Sequence, residues 1–113
     1  MSKTIESQTY QSIKELVLKK NILISSHGYD ELAEDGLLVT DVIASISEAT
    51  VVEDYPDAFK GASVLLLQQD RYGNPMHTVW GIPKEKSEPA VLITAYIPSE
   101  EKWDKTFTRR NNA

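Results

Sequence analysis

Two side chains in this chain can move a proton near neutral pH without help, His27 and His77. His27 lies in Ser25-Ser26-His27-Gly28-Tyr29-Asp30, at the start of a predicted helix. A neutral imidazole there would serve as a general base. Its other reading is a capping or packing residue. His77 lies in Met76-His77-Thr78-Val79-Trp80, a strand pattern. Alternation puts His77, Val79 and Gly81 on one face and Met76, Thr78, Trp80 and Ile82 on the other. The Trp80 face is the more apolar, so it is expected under the helices, with His77 on the open side. Tyr96 shares a face with Thr94 on the last predicted strand, opposite Ile93, Ala95 and Ile97, and offers a proton donor or a stacking ring. Arg109 and Arg110 form a basic pair suited to phosphate.

Other chemistries are excluded by what is missing. The chain has no cysteine, so it has no disulfide, no thiolate zinc ligand and no thiol nucleophile. It carries no Gly-rich phosphate loop, no HExxH, no GxSxG and no EF-hand loop. No metal site and no cofactor are expected. The alternating aromatic and basic residues of an RNA-recognition strand are absent as well.

The elements that must position these residues follow in a simple order. Residues 4–20 have the spacing of an amphipathic helix, with Tyr10, Ile13, Leu16 and Val17 on one face. Ile22–Ile24 reads as a short apolar connector. Ser25 or Ser26 caps a second helix over 27–34, which Gly36 stops. Thr40 is the expected cap of a third helix carrying Val42, Ile43 and Ile46. The period then changes to that of strands: Thr50–Asp54, Ala62–Gln69, Met76–Ile82 and Val91–Ile97. Tyr55-Pro56-Asp57 and the run Asp70–Pro75 are turns. Ser99 caps a last turn carrying Trp103. The expected fold is α+β, with N-terminal helices packed on a four-stranded antiparallel sheet. It forms a single domain over 1–113, with a core over about 4–105 and a flexible tail at 106–113.

The 113 residues fit one domain, and their net charge is −5. The acidic excess lies in residues 27–60, where nine acids face one lysine. Residues 1–20 and 99–113 are both net positive. The acidic balance therefore argues against strong non-specific capture of nucleic acid, not against a local site. The acidic helix face is a solvated surface or a patch for a basic partner. No apolar run reaches the roughly 18 residues of a membrane span. Residues 1–8 lack the apolar stretch of a signal peptide, so a cytoplasmic protein is expected.

The segments HGYDELAEDGL (27–37), EDYPD (53–57), HTVWGIP (77–83) and ITAYIP (93–98), with the closing Trp103 and Arg109-Arg110, resemble a bacterial family. That family is the domain of unknown function numbered 4258. It is usually grouped with RelE-like toxins, of the barnase–EndoU–colicin–RelE fold. The resemblance implies a ribonuclease of a toxin–antitoxin pair, cleaving RNA without a metal by attack of the 2′-hydroxyl. It also implies an antitoxin partner of zinc-finger type. His27 matches the family's helix-start histidine, Thr94 and Tyr96 its last-strand pair, and His77–Trp80 its His-x-Val-Trp segment. On this basis His27, His77 and Tyr96 are the expected catalytic residues. Thr94, Trp80, Arg109 and Arg110 are expected to hold substrate. Many members carry an arginine just before the glycine that ends the His helix. Here that position is Asp35, which removes one phosphate-binding cation. The alternative is a non-catalytic protein-binding module on the same fold. A small-molecule enzyme using the two histidines ranks behind both. If the catalytic assignment holds, His27, His77 and Tyr96 line one cleft.

Overall fold

The structure, a computed structural model, describes residues 7–111. The first residues of the helix expected from position 4, the stretch read for a signal peptide, and residues 112–113 of the expected tail fall partly or wholly outside that range. Helix α1 spans Gln8–Leu18, and the Ser7 hydroxyl accepts from the Tyr10 amide at its start. Tyr10, Ile13 and Val17 are buried and Leu16 packs beside them, as the spacing predicts. Strand β1 is Ile22–Ile24, helix α2 Ser26–Glu34 and helix α3 Val39–Ala44. A short 3-10 turn at Ile46–Glu48 leads into the main sheet. Its strands are β2 (Thr50–Tyr55), β3 (Ser63–Gln69), β4 (Pro75–Gly81) and β5 (Ala90–Tyr96).

The sheet corrects the four-stranded antiparallel expectation. It has five strands in the order β1-β5-β4-β3-β2 and is mixed. Residues 22–24, read as a connector, pair parallel to β5, with Leu23 opposite Val91. Three apolar residues are too few to show alternation. A parallel partner is also necessarily remote in sequence, so no local turn announces it. The α+β class stands.

A second correction concerns α3. Its cap position is Leu38, which makes no side-chain capping bond, and Thr40 lies inside the helix. Packing of Val42, buried in the core, and of Val39 and Ile43 beside it holds this short helix in place of a cap.

Helix α2 is held close against β5. The Ser25 hydroxyl accepts from the Gly28 amide and donates to the Ile93 carbonyl. A Cβ at Gly28 would stand 2.7 Å from the Leu92 carbonyl oxygen, so only glycine allows this approach. The helix ends at Gly36, whose φ of +67° is a left-handed conformation.

One sheet face carries the core: Val64, Leu66, Met76, Trp80, Leu92 and Ala95 lie under Tyr10, Ile13, Val17, Leu32 and Val42. Buried within it is a polar cluster. The Gln68 amide nitrogen donates to the Val42 carbonyl at 2.6 Å, and its oxygen accepts from Thr78 (2.5 Å) and from the Trp80 indole (3.3 Å). Each of these buried groups has a partner, which is what makes their burial tolerable.

The opposite face is covered at its His77–Tyr96 end. Residues 99–111 cross it as a strap, in which Trp103 pairs with Arg110 across a β-bridge. His77, expected on an open side, therefore has no exposed surface. The sequence pattern assigns His77 to the correct face; the strap that covers this face carries no strand periodicity to reveal it. The bulge between Val79 and Trp80 in the β4–β5 pairing corrects one further assignment. It brings Ile93 over the position of Gly81, so Ile93 leaves the face of Ala95 for that of Val79.

Candidate functional site

The site is built where β4, β5 and the strap meet. His77 and Tyr96 are directly opposite in the β4–β5 register, so their side chains stand together on the strap face. His77 Nδ1 lies 3.2 Å from the Tyr96 hydroxyl, and Nε2 lies 2.7 Å from the Phe107 carbonyl oxygen. A carbonyl only accepts, so Nε2 carries the ring proton. Nδ1 is then an acceptor, and the Tyr96 hydroxyl donates to it. The backbone of the strap thus fixes the histidine tautomer, and the tautomer fixes the direction of the tyrosine proton.

Trp103, itself buried, meets the His77 ring edge-on with centroids 4.4 Å apart. The Arg110 guanidinium lies over the Trp103 ring at 4.7 Å and makes two bonds to Glu53, of 2.8 and 3.1 Å. The second oxygen in that pair, Glu53 Oε1, also accepts from the Tyr55 hydroxyl at 2.5 Å. A chain of contacts therefore runs Tyr96–His77–Trp103–Arg110–Glu53–Tyr55.

Charge follows this geometry. The Arg110 hydrogen bonds hold the Glu53 carboxyl below the usual carboxylate range, and Glu53 in turn pushes Arg110 up. The Glu53 hydrogen bond, aided by burial, raises the Tyr55 hydroxyl. Burial lowers His77, which favours the neutral ring that the hydrogen bonds require. Burial also raises Tyr96, so that its phenol stays protonated.

Tyr96 borders a pocket of about 380 Å³ with Ser99, Lys102, Trp103 and Arg110. The pocket thus brings a hydroxyl and two cations beside the half-buried Tyr96. A group in the pocket can pass a proton to the Tyr96 oxygen while the phenol proton moves to His77 Nδ1. The imidazolium so formed keeps its Nε2 proton on the Phe107 carbonyl.

The remaining expected residues are placed elsewhere. His27 is exposed on α2, with Nε2 3.8 Å from Glu31 one turn on, and it does not line the Tyr96 pocket. Trp80 is fully buried on the helix-covered face, with its indole on Gln68. Thr94 stands opposite Val79 on the strap face, half-buried. The Arg109 side chain is exposed, while its carbonyl accepts from the Asp104 amide. Asp35 accepts from the Ile97 amide at 2.8 Å and ties the end of α2 to the end of β5.

Lys102, Ser99, Phe107, Glu53 and Tyr55 are site neighbours to which the sequence assigned no part in the site. The EDYPD segment held two of them; the strap residues carried no pattern that would have shown them. Among the described residues, no three His, Asp or Glu side chains are grouped as metal ligands. None of the described helices is long and apolar enough to cross a membrane.

Residues 24–97 match the family model described as domain of unknown function (DUF4258). The chain belongs to this family. The match takes in α2, α3 and all of β2 to β5, and so includes His77 and Tyr96. The strap lies beyond it. No curated protein and no solved structure matches the chain.

Proposed function

We propose that the protein is a metal-independent endoribonuclease of the RelE-like superfamily, acting as the toxin of a toxin–antitoxin pair. The observation that carries this reading is the Tyr96 hydroxyl, aimed at an unprotonated His77 nitrogen on the wall of a pocket that also holds Lys102 and Arg110.

In the reaction, the substrate 2′-hydroxyl gives its proton to the Tyr96 oxygen as the phenol proton passes to His77 Nδ1. The 2′-oxygen bonds to phosphorus and the bond from phosphorus to the 5′-oxygen breaks. The products are a 2′,3′-cyclic phosphate and a 5′-hydroxyl, the latter protonated by water entering the open pocket. Lys102 and Arg110 offset the charge that grows on the phosphorane. Tyr96 is the catalytic residue; His77 takes its proton and returns it as the phenol gives one to the hydroxide which that water leaves. His27 has no part in this step, because it lies outside the pocket. The test is to incubate the purified chain with end-labelled single-stranded RNA in EDTA. Products ending in a 2′,3′-cyclic phosphate are expected; intact RNA at high enzyme concentration would refute the reading.

A second reading, a non-catalytic module that binds a protein, is favoured by one observation. Arg110 is engaged by Glu53, while Asp30 and Glu34 stand exposed one turn apart along α2. That pair suits a basic partner such as an antitoxin. Co-expression with the neighbouring gene separates the two: a toxin arrests growth alone and is relieved by its partner, whereas a simple binding module forms the complex without arrest.

A further inference from the structure

The strap does not reach the far end of its sheet face. It covers the His77–Tyr96 end, while at the other end Ser63, Gly81 and Val91 stand side by side in register. Gly81 offers no side chain, and the bulged Ile93 reaches over it. A groove of about 360 Å³ opens there, floored by these residues. A second pocket of about 490 Å³ adjoins it and shares Ala58, Gly61, Ala62, Ile82 and Pro83 with it.

The rim has its own chemistry. Phe59 is 84% exposed, an unusual state for a phenylalanine, and Lys84 Nζ sits 5.2 Å from its ring centre. Lys60, Lys84 and Lys86 line the two pockets, against the carboxylates of Asp57 and Glu85. In a chain of net charge −5, this is a locally positive rim around an exposed aromatic ring.

We propose that this groove binds single-stranded RNA, with Phe59 stacking a base and Lys60, Lys84 and Lys86 contacting phosphates. The inference rests on the ribonuclease reading and adds the place where the substrate strand is held. The groove and the Tyr96 pocket lie on one face. Along β4, His77 and Gly81 are separated by about 13 Å at the usual rise of an extended strand. A short run of nucleotides therefore bridges the two, passing Val79 and Thr94 on the way. An exposed ring accepts any base, because every base has a stacking face, so the groove supplies affinity more than sequence choice.

The test measures binding and cleavage separately. The binding probe is a dye-labelled, fully 2′-O-methylated single-stranded RNA, which has no 2′-hydroxyl to attack. Phe59→Ala is expected to weaken its binding about tenfold. Lys60→Gln with Lys84→Gln is expected to flatten the salt dependence by about 0.7 in log–log slope for each phosphate that is no longer neutralised. In cleavage, Phe59→Ala is expected to raise KM by more than it lowers kcat. Both sites are on the surface, and unchanged circular dichroism will show that the variants fold. Equal binding by wild type and both variants, or equal binding of a duplex probe, overturns the groove. So does a groove whose variants lose a protein partner while RNA binding is untouched. If instead the groove variants lose binding but Tyr96→Phe cleaves normally, the groove stands and the catalytic assignment falls.

Discussion

Tyr96 owes its chemical interest to two neighbours rather than to its own type. Its hydroxyl has an acceptor because burial keeps His77 neutral, and because the ring donates its Nε2–H to the Phe107 carbonyl, which leaves Nδ1 to accept. His77→Gln is therefore expected to act through Tyr96. It should lower cleavage by about 10²-fold, within the range for one acid–base group, with kcat falling more than KM rises. A split in which only KM changes would show that His77 merely holds the strap. His27→Ala is expected to change cleavage less than threefold (about 0.6 kcal/mol or less in transition-state terms), because the residue is exposed on α2 away from the pocket. A loss of about 10²-fold or more in the same assay would return His27 to the mechanism. At this scale the sequence is informative about residue type and silent about company. Both histidines are equally visible in it, and only the β4–β5 register tells which of them meets Tyr96.

Elements explain why that register holds. The Ser25 cap and the close approach at Gly28 lock α2 onto β5. Beneath β3 and β4, the Gln68 cluster ties Trp80 and Thr78 to α3 through the Val42 carbonyl. Gln68→Leu would leave the Thr78 hydroxyl and the Trp80 indole buried without acceptors. It is expected to destabilise the fold by about 3 kcal/mol, as read by urea denaturation. A loss below about 1 kcal/mol would mean that these groups find other partners. Helices α1 and α2 and strands β2 to β5 are legible in the sequence because each has its own period, cap or turn. Tyr10, Ile13 and Val17 repeat at helical spacing, and Asp70–Pro75 announces its hairpin. Strand β1 and the strap are not legible. Ile22–Ile24 becomes a strand only by meeting Ala90–Leu92, and Trp103 has no reason to be buried until His77 is there to pack against. Each depends on a contact between segments far apart in the chain.

The whole molecule couples this site to pH. Burial lowers the pKa of His77 in the folded state, so the unfolded chain binds its proton more readily. Stability from His77 is thus fully present above the ordinary histidine value of about 6.5 and is lost as pH falls through the lower, folded value. Glu53 has the same sign in a more acid window. Its folded pKa lies below the ordinary carboxylate value, so its contribution disappears only as pH drops through that range. Thermal melts are expected to show two falling steps on acidification, and His77→Gln should remove the upper one. A wild-type melting temperature that rises between pH 7 and pH 5.5 would contradict the burial account. Net charge, read from composition alone, argues against nucleic acid. Its arrangement changes that: acids line α2, while Lys102 and Arg110 sit with Tyr96, and Lys60, Lys84 and Lys86 stand at the far end of the same sheet face.

The central claim is that a phenol held on a buried histidine cleaves RNA, and Tyr96→Phe tests it most directly. This change removes one oxygen and leaves the ring that packs against His77. Initial rates on single-stranded RNA in EDTA, with the product ends identified, give the answer. The expected result is a loss of about 10²-fold or more in kcat for Tyr96→Phe, from a wild type that yields 2′,3′-cyclic phosphate ends. Cleavage by Tyr96→Phe within twofold of wild type would contradict it.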